Sequence, residues 1–199
     1  MMKDISNILI KPLVPELNND YLDFFDNRAF TDGNPNDPCY CTSPNQNEEE
    51  IKQMVSEFQA NGVKDTVRKY AVQMLNERKI QGYLAFDGDK SIGWCNAADM
   101  DSYVGFVPDF ARANACGKTV SIVCFEIAPE YREKGLASAF IERVCADAKE
   151  KGYIAVEGYA KIYEGRNDFD YQGPIRLYQK AGFEEVAKEN GQVIMRKIL

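Results

Sequence analysis

Apolar residues recur along this chain at two spacings. In the N-terminal part they fall three or four positions apart. Leu17, Tyr21, Phe24 and Phe25 do so within residues 16–30, Ile51, Val55 and Phe58 within 48–60, and Val67, Ala71 and Leu75 within 65–79. This spacing predicts three helices. The segment before them, 7–14, is apolar but interrupted by Pro12 and followed by Pro15, so it reads as a short edge strand. Residues 31–45 are dense in Gly, Pro, Asn and Asp and form a loop.

From Gln81 the period shortens. Residues 82–86 and 91–97 flank Asp87-Gly88-Asp89-Lys90 and predict a β-hairpin. A long irregular connection, 100–117, leads to an apolar strand at 120–127. A helix over 135–151 carries Leu136, Phe140, Val144 and Ala148 in one stripe and stops at Gly152. A strand at 153–160, a polar and aromatic loop at 161–173, and a short helix at 175–181 follow. The helix is entered through Pro174 and closed by Gly182. A last hairpin, 183–187 and 192–198, turns about Asn190-Gly191. Helices and strands alternating in this way predict an α/β layered domain.

Composition narrows the chemistry. The chain has 199 residues, 45% hydrophobic, enough for one cored domain. No apolar run is long enough to span a membrane, and the N-terminus lacks the form of a secretory signal, so a cytoplasmic protein is expected. A net charge of −7 argues against nucleic acid as partner. There is no histidine, which removes imidazole bases and Cys/His zinc sites. The six cysteines form no CxxC pair and read as reduced thiols, with no metal expected. Gly117-Lys118-Thr119 is not a phosphate loop: Arg112 stands where the first glycine should, and a strand follows.

The sharpest local feature is the run from Val120 to Ala137. A strand ends at Pro129, a basic turn follows, and Gly135 opens a helix. The first backbone N–H groups of a helix have no internal partner and attract anions, a phosphate above all. The turn Arg132-Glu133-Lys134-Gly135-Leu136-Ala137 fits R-x-x-G-x-A. Some forty residues on, after one more strand, stands Leu177-Tyr178-Gln-Lys-Ala-Gly182-Phe183.

Together, in this element order, the two motifs resemble the GNAT acetyltransferase superfamily over residues 81–199. The hairpin 82–99 and Cys39-Tyr40-Cys41 also look like a bacterial branch of it. The resemblance implies one GNAT domain over 1–199, with residues 1–80 supplying an N-terminal strand, helices and loop. Residues 81–199 supply the hairpin, the acetyl-CoA-binding β-α-β unit and the terminal hairpin. The implied fold is a curved, mixed, mostly antiparallel sheet with helices on both faces.

It further implies acetyl-CoA as co-substrate, its pantetheine arm pairing with the backbone of Phe125, Glu126 and Ile127. Its pyrophosphate falls on the turn from Arg132 to Ala137. The implied reaction is direct transfer of acetyl to a primary amine, with Tyr178 beside the cofactor as the acid for the leaving thiolate. Three sources of the base stay open. Glu157 matches the glutamate that some members carry on the strand after the cofactor helix. Water relayed through polar groups is the second. Glu126 is the third, its direction depending on whether its strand bulges. A glutamate that other members place at the start of the preceding strand is replaced here by Ser121. Tyr171 and Pro174 depart from the family's N-x-x-A. Glu164, Asp168, Asp170 and Tyr171 are candidates for an acceptor rim. Cys39-Tyr40-Cys41 is expected to fold over the acceptor site with Tyr40 in contact, and Trp94 to pack in the core. A catalytically silent acyl-CoA-binding module and a homodimer remain open.

Overall fold

A computed structural model describes residues 7–165, 167 and 169–199. The strands are β1 (Leu9–Pro12), β2 (Gly82–Asp87), β3 (Lys90–Asp99), β4 (Thr119–Ile127), β5 (Ala155–Lys161), β6 (Glu184–Glu189) and β7 (Gln192–Ile198). They form one sheet in the order β1-β2-β3-β4-β5-β7-β6. Only β4 and β5 run parallel; the other neighbours are antiparallel. The helices are α1 (Asn18–Asn27), α2 (Glu48–Ser56), α3 (Phe58–Asn61), α4 (Val63–Asn76), α5 (Asp109–Ala113), α6 (Leu136–Glu150) and α7 (Ile175–Lys180).

Strand alternation sorts the helices onto two faces. On β3, Trp94 packs edge-on against Tyr21 of α1, ring centroids 4.8 Å apart. The adjacent Gly93 faces Leu136 and Phe140 of α6. Phe125 of β4 joins that second side, 6.5 Å from both Phe140 and Tyr178. The sheet is therefore mixed and layered, with α1 on one face and α6 and α7 on the other. A continuous core runs through it, and Trp94 is fully buried there.

The helix predicted over 48–60 divides at Glu57. There its carboxylate accepts from Lys69 Nζ (2.8 Å) and Tyr70 Oη (2.9 Å) of α4. The helix predicted over 65–79 starts at Val63 instead, capped by Gly62, and ends at Asn76 before Arg78 turns left-handed (φ +56°).

Two features of the sheet create the site. First, β4 and β5 pair only over Thr119–Ile122 with Ala155–Gly158. Beyond this stretch the strands part, and the Phe125 N–H donates to the Tyr171 carbonyl of the loop before α7 (2.6 Å). Second, the register of β3 against β4 slips between Asn96 and Ala97, leaving Val123 as an extra residue. The bulge keeps Ser121, Cys124 and Glu126 on the α1 face while Phe125 points to the α6 face.

Candidate active site

The turn before α6 has the form the sequence predicts. Pro129–Tyr131 make a 3-10 turn, Glu133 and Gly135 take left-handed φ of +60° and +89°, and Gly135 caps a helix with no side-chain cap. The amides of Leu136, Ala137 and Ser138 thus have no partner within the helix. The cationic side chains of the turn are already engaged within the protein. Arg132 folds back to donate to the Ile127 carbonyl (2.9 Å), Asp32 (2.5 Å) and Glu126 (3.2 Å). Lys134 Nζ donates to the Glu130 carbonyl. The helix start thus presents backbone amides and the positive end of the helix dipole, and Arg132 ties the turn to β4 through the Ile127 carbonyl and Glu126.

Three cavities run in sequence from this turn. A broad cleft of about 900 Å³ is lined by Arg132, Glu133, Lys161, Asp170, Pro174 and Arg176, among others. A narrower one of about 150 Å³ continues between β4 and α7, past Phe125, Glu126, Ile127 and Ala137. It shares Arg132, Asp170 and Pro174 with the cleft. A third, of about 210 Å³, opens on the α1 face and shares Glu126 and Tyr171 with the second. Its other walls include Phe25, Phe30, Pro44 and Phe106. Glu126 thus stands at the junction of the inner two. Burial pushes its carboxyl up to about 7, against the pull of Arg132.

Tyr178 is fully buried on the opposite face, its ring against Gly158, where a side chain would overlap it. Its hydroxyl donates to the Gln172 carbonyl (2.7 Å), and burial holds its pKa well above the ordinary tyrosine value. Glu157 and Tyr159 flank Gly158 and therefore point to the α1 face. There Glu157 lies in the parallel-paired part of the sheet, opposite Ser121, and lines neither inner cavity. Its carboxylate is held by Arg196, from Nε (2.7 Å) and Nη2 (2.5 Å), and accepts from Tyr159 Oη (3.2 Å). Burial raises its pKa and Arg196 opposes the rise. Tyr159 and Ser121 hydroxyls meet at 2.5 Å.

The loop at 39–41 does reach the third cavity, but through its cysteines. Cys39 and Cys41 line it together with Cys124, whereas Tyr40 is buried away from it and donates to Asp26. Cys41 takes φ +50°, its sulfur accepts from Asn96 Nδ2 (3.2 Å), and the Cys124 thiol lies beside it. These contacts hold its pKa below the ordinary thiol value despite burial. A hydrogen bond from Tyr103 Oη (2.6 Å) fixes the Asn96 amide. The sequence contains no signal for this arrangement, since it joins four separate segments. Of the candidate acceptor rim, Asp170 and Tyr171 line cavities, Glu164 is exposed, and Asp168 lies outside the described residues. Among the described residues there is no cluster of side chains able to hold a metal ion, and no helix is long and apolar enough to cross a membrane.

No curated protein matches the sequence. Solved structures match the fold over nearly the whole chain. The PaiA N-acetyltransferase of Thermoplasma acidophilum, solved with coenzyme A, is 16% identical with a TM-score of 0.52, covering 98% of this chain and all of that one. The yncA protein of Salmonella typhimurium, solved with acetyl-CoA, is 14% identical with a TM-score of 0.50, covering 98% and 95%. A mosquito arylalkylamine N-acetyltransferase-like 5b is 10% identical with a TM-score of 0.56, covering 97% and 100%. Residues 47–183, which hold the split strands, the Gly135 turn before α6 and Tyr178, match the model of the Acetyltransferase (GNAT) family, and the chain belongs to that family.

Proposed function

We propose that this chain transfers acetyl from acetyl-CoA to a primary amine, with the reacting groups meeting at Glu126. The observation that carries this reading is the row of three cavities with Glu126 where the inner two join. The outer cleft takes the nucleotide end of the donor, with its pyrophosphate on the unpartnered amides of Leu136 and Ala137 and with Lys161 and Arg176 alongside. The middle cavity takes the pantetheine arm along Phe125, Glu126 and Ile127. Acetyl-CoA supplies the activated acetyl group; the protein positions it and moves protons.

Glu126 is the base in this reading. A carboxylate with a pKa near 7 can take a proton from an ammonium and is half ionised at neutral pH. Glu157, shut behind Arg196, keeps a structural part. Tyr178 stays protonated at neutral pH and serves as acid for the departing thiolate from the other side of the gap between β4 and β5. Acid and base thus approach from opposite faces, as a transfer through the gap requires. Binding of the donor also asks the 169–173 segment to release the Phe125 N–H from the Tyr171 carbonyl, and the Tyr178 hydroxyl from Gln172.

Two variants test the donor side. Gly135→Val places a β-branched residue at φ +89° in the amide cradle. It should raise the Kd for acetyl-CoA by about tenfold or more, equivalent to about 1.4 kcal/mol. Calorimetric titration reads this directly, and an unchanged Kd in a folded variant would remove the pyrophosphate from this turn. Tyr178→Phe should lower kcat about a hundredfold with acetyl-CoA affinity nearly intact. A wild-type kcat would take the acid role from Tyr178.

A further inference from the structure

The third cavity carries information on the acceptor that the motifs do not. Resting on the amine-transfer reading above, we infer that the acceptor is a small monoamine on an apolar body, alkyl or aryl. Its ammonium would meet Glu126 and its body would lie among Phe25, Phe30, Pro44, Phe106 and Tyr171.

The walls argue for the apolar body. Two aromatic pairs border the cavity: Phe25 with Phe30, centroids 6.2 Å apart, and Phe106 with Tyr171, 6.5 Å apart. Burying an apolar group against them releases water from both surfaces. The volume argues for small size. An apolar cavity of about 150 Å³ holds benzene; about 210 Å³ leaves room for a ring or short alkyl chain with a two-carbon arm. The charge pattern argues for a single amine. Glu126 is the one carboxylate among the described residues lining this cavity. A second ammonium lying along these walls would meet no further carboxylate and would lose hydration against the aromatic rings, which is costly. Polyamines are disfavoured on that ground, although the whole chain is acidic. Aminoglycosides are disfavoured by size and by their many hydroxyls, and peptide N-termini by the polar backbone they would bring against apolar walls.

The test uses the full chain with acetyl-CoA and five probes: n-hexylamine, 2-phenylethylamine, spermidine, kanamycin and an alanine-initiated hexapeptide. Thiol release and mass spectrometry of the product are followed. The apolar monoamines should show kcat/KM at least a hundredfold above the other three. Phe106→Ala should raise their KM about tenfold while leaving the Kd for acetyl-CoA unchanged. Preference for spermidine, kanamycin or the peptide would overturn the acceptor class and leave the transfer reading standing. Calorimetric titration of 2-phenylethylamine in the presence of coenzyme A tests the cavity without turnover. Binding there that is lost in Phe106→Ala supports the class even if catalysis fails, and no binding overturns it. Absence of acetyl-CoA binding would instead defeat the donor reading.

Discussion

Glu126→Gln should lower kcat by about 10² to 10³-fold and leave the Kd for acetyl-CoA within about twofold. The amide keeps the size of the side chain and loses the ability to take a proton. The pH profile is the sharper readout. With the carboxyl raised to about 7, wild-type turnover should climb as pH rises through that value, because only the ionised form accepts a proton. The residual activity of the variant should lack this limb. Stability should move the other way. A carboxyl whose folded pKa lies above its unfolded value stabilises the fold at low pH, and this is lost as pH rises from about 4.5 to about 7. Relative to wild type, Glu126→Gln should therefore be more stable at pH 8 than at pH 5, by of order 2–3 kcal/mol. A Glu126→Gln enzyme with unchanged kcat and an unchanged limb would move the base elsewhere.

Arg196→Met should be the most destabilising single change at the site. It strips the partner from Glu157, whose side chain is 0% exposed against 10% for Arg196. Removing one member of a buried pair costs about 3–5 kcal/mol, since the charge left behind is unpaired. The sign with pH follows from the raised Glu157 pKa, which rises further without Arg196. The ionised form is the penalised one, so the loss should be larger at pH 8 than at pH 5. Adding Glu157→Gln should recover much of the stability. Denaturant unfolding at the two pH values reads all of this, and a variant as stable as wild type would show the pair to be unimportant. Glu157→Gln alone separates the two carboxylates. Near-normal turnover per folded molecule fits a structural Glu157, whereas loss of turnover with intact donor affinity would make it the base.

The difference between these two glutamates shows where sequence reading stops. The turn before α6 is legible because its geometry is local: a proline-ended strand, a glycine and an apolar stripe suffice to place an uncapped helix start. Tyr178 is legible for the same reason, set between Pro174 and Gly182-Phe183. Glu157 also sits where a one-strand pattern puts it, but its Arg196 partner comes from β7, and no local signal joins them. Glu126 is a harder case. Its direction depends on a bulge that exists only in the pairing of β4 with β3, where Val123 is the extra residue. One strand alone cannot show that. The cysteine-lined wall is least legible of all, since Cys39 and Cys41 reach the cavity through a loop path set by contacts with Asn96 and Cys124 on two other strands.

Amine acetylation at the junction marked by Glu126 can be observed directly. The full chain is mixed with acetyl-CoA and a panel of primary amines, and released thiol and N-acetylated product are followed together. One acetylated amine should form for each thiol released, with turnover falling at least a hundredfold in Glu126→Gln. Acetyl-CoA binding with no amine acetylated anywhere in the panel would contradict it and leave a silent acyl-CoA-binding module.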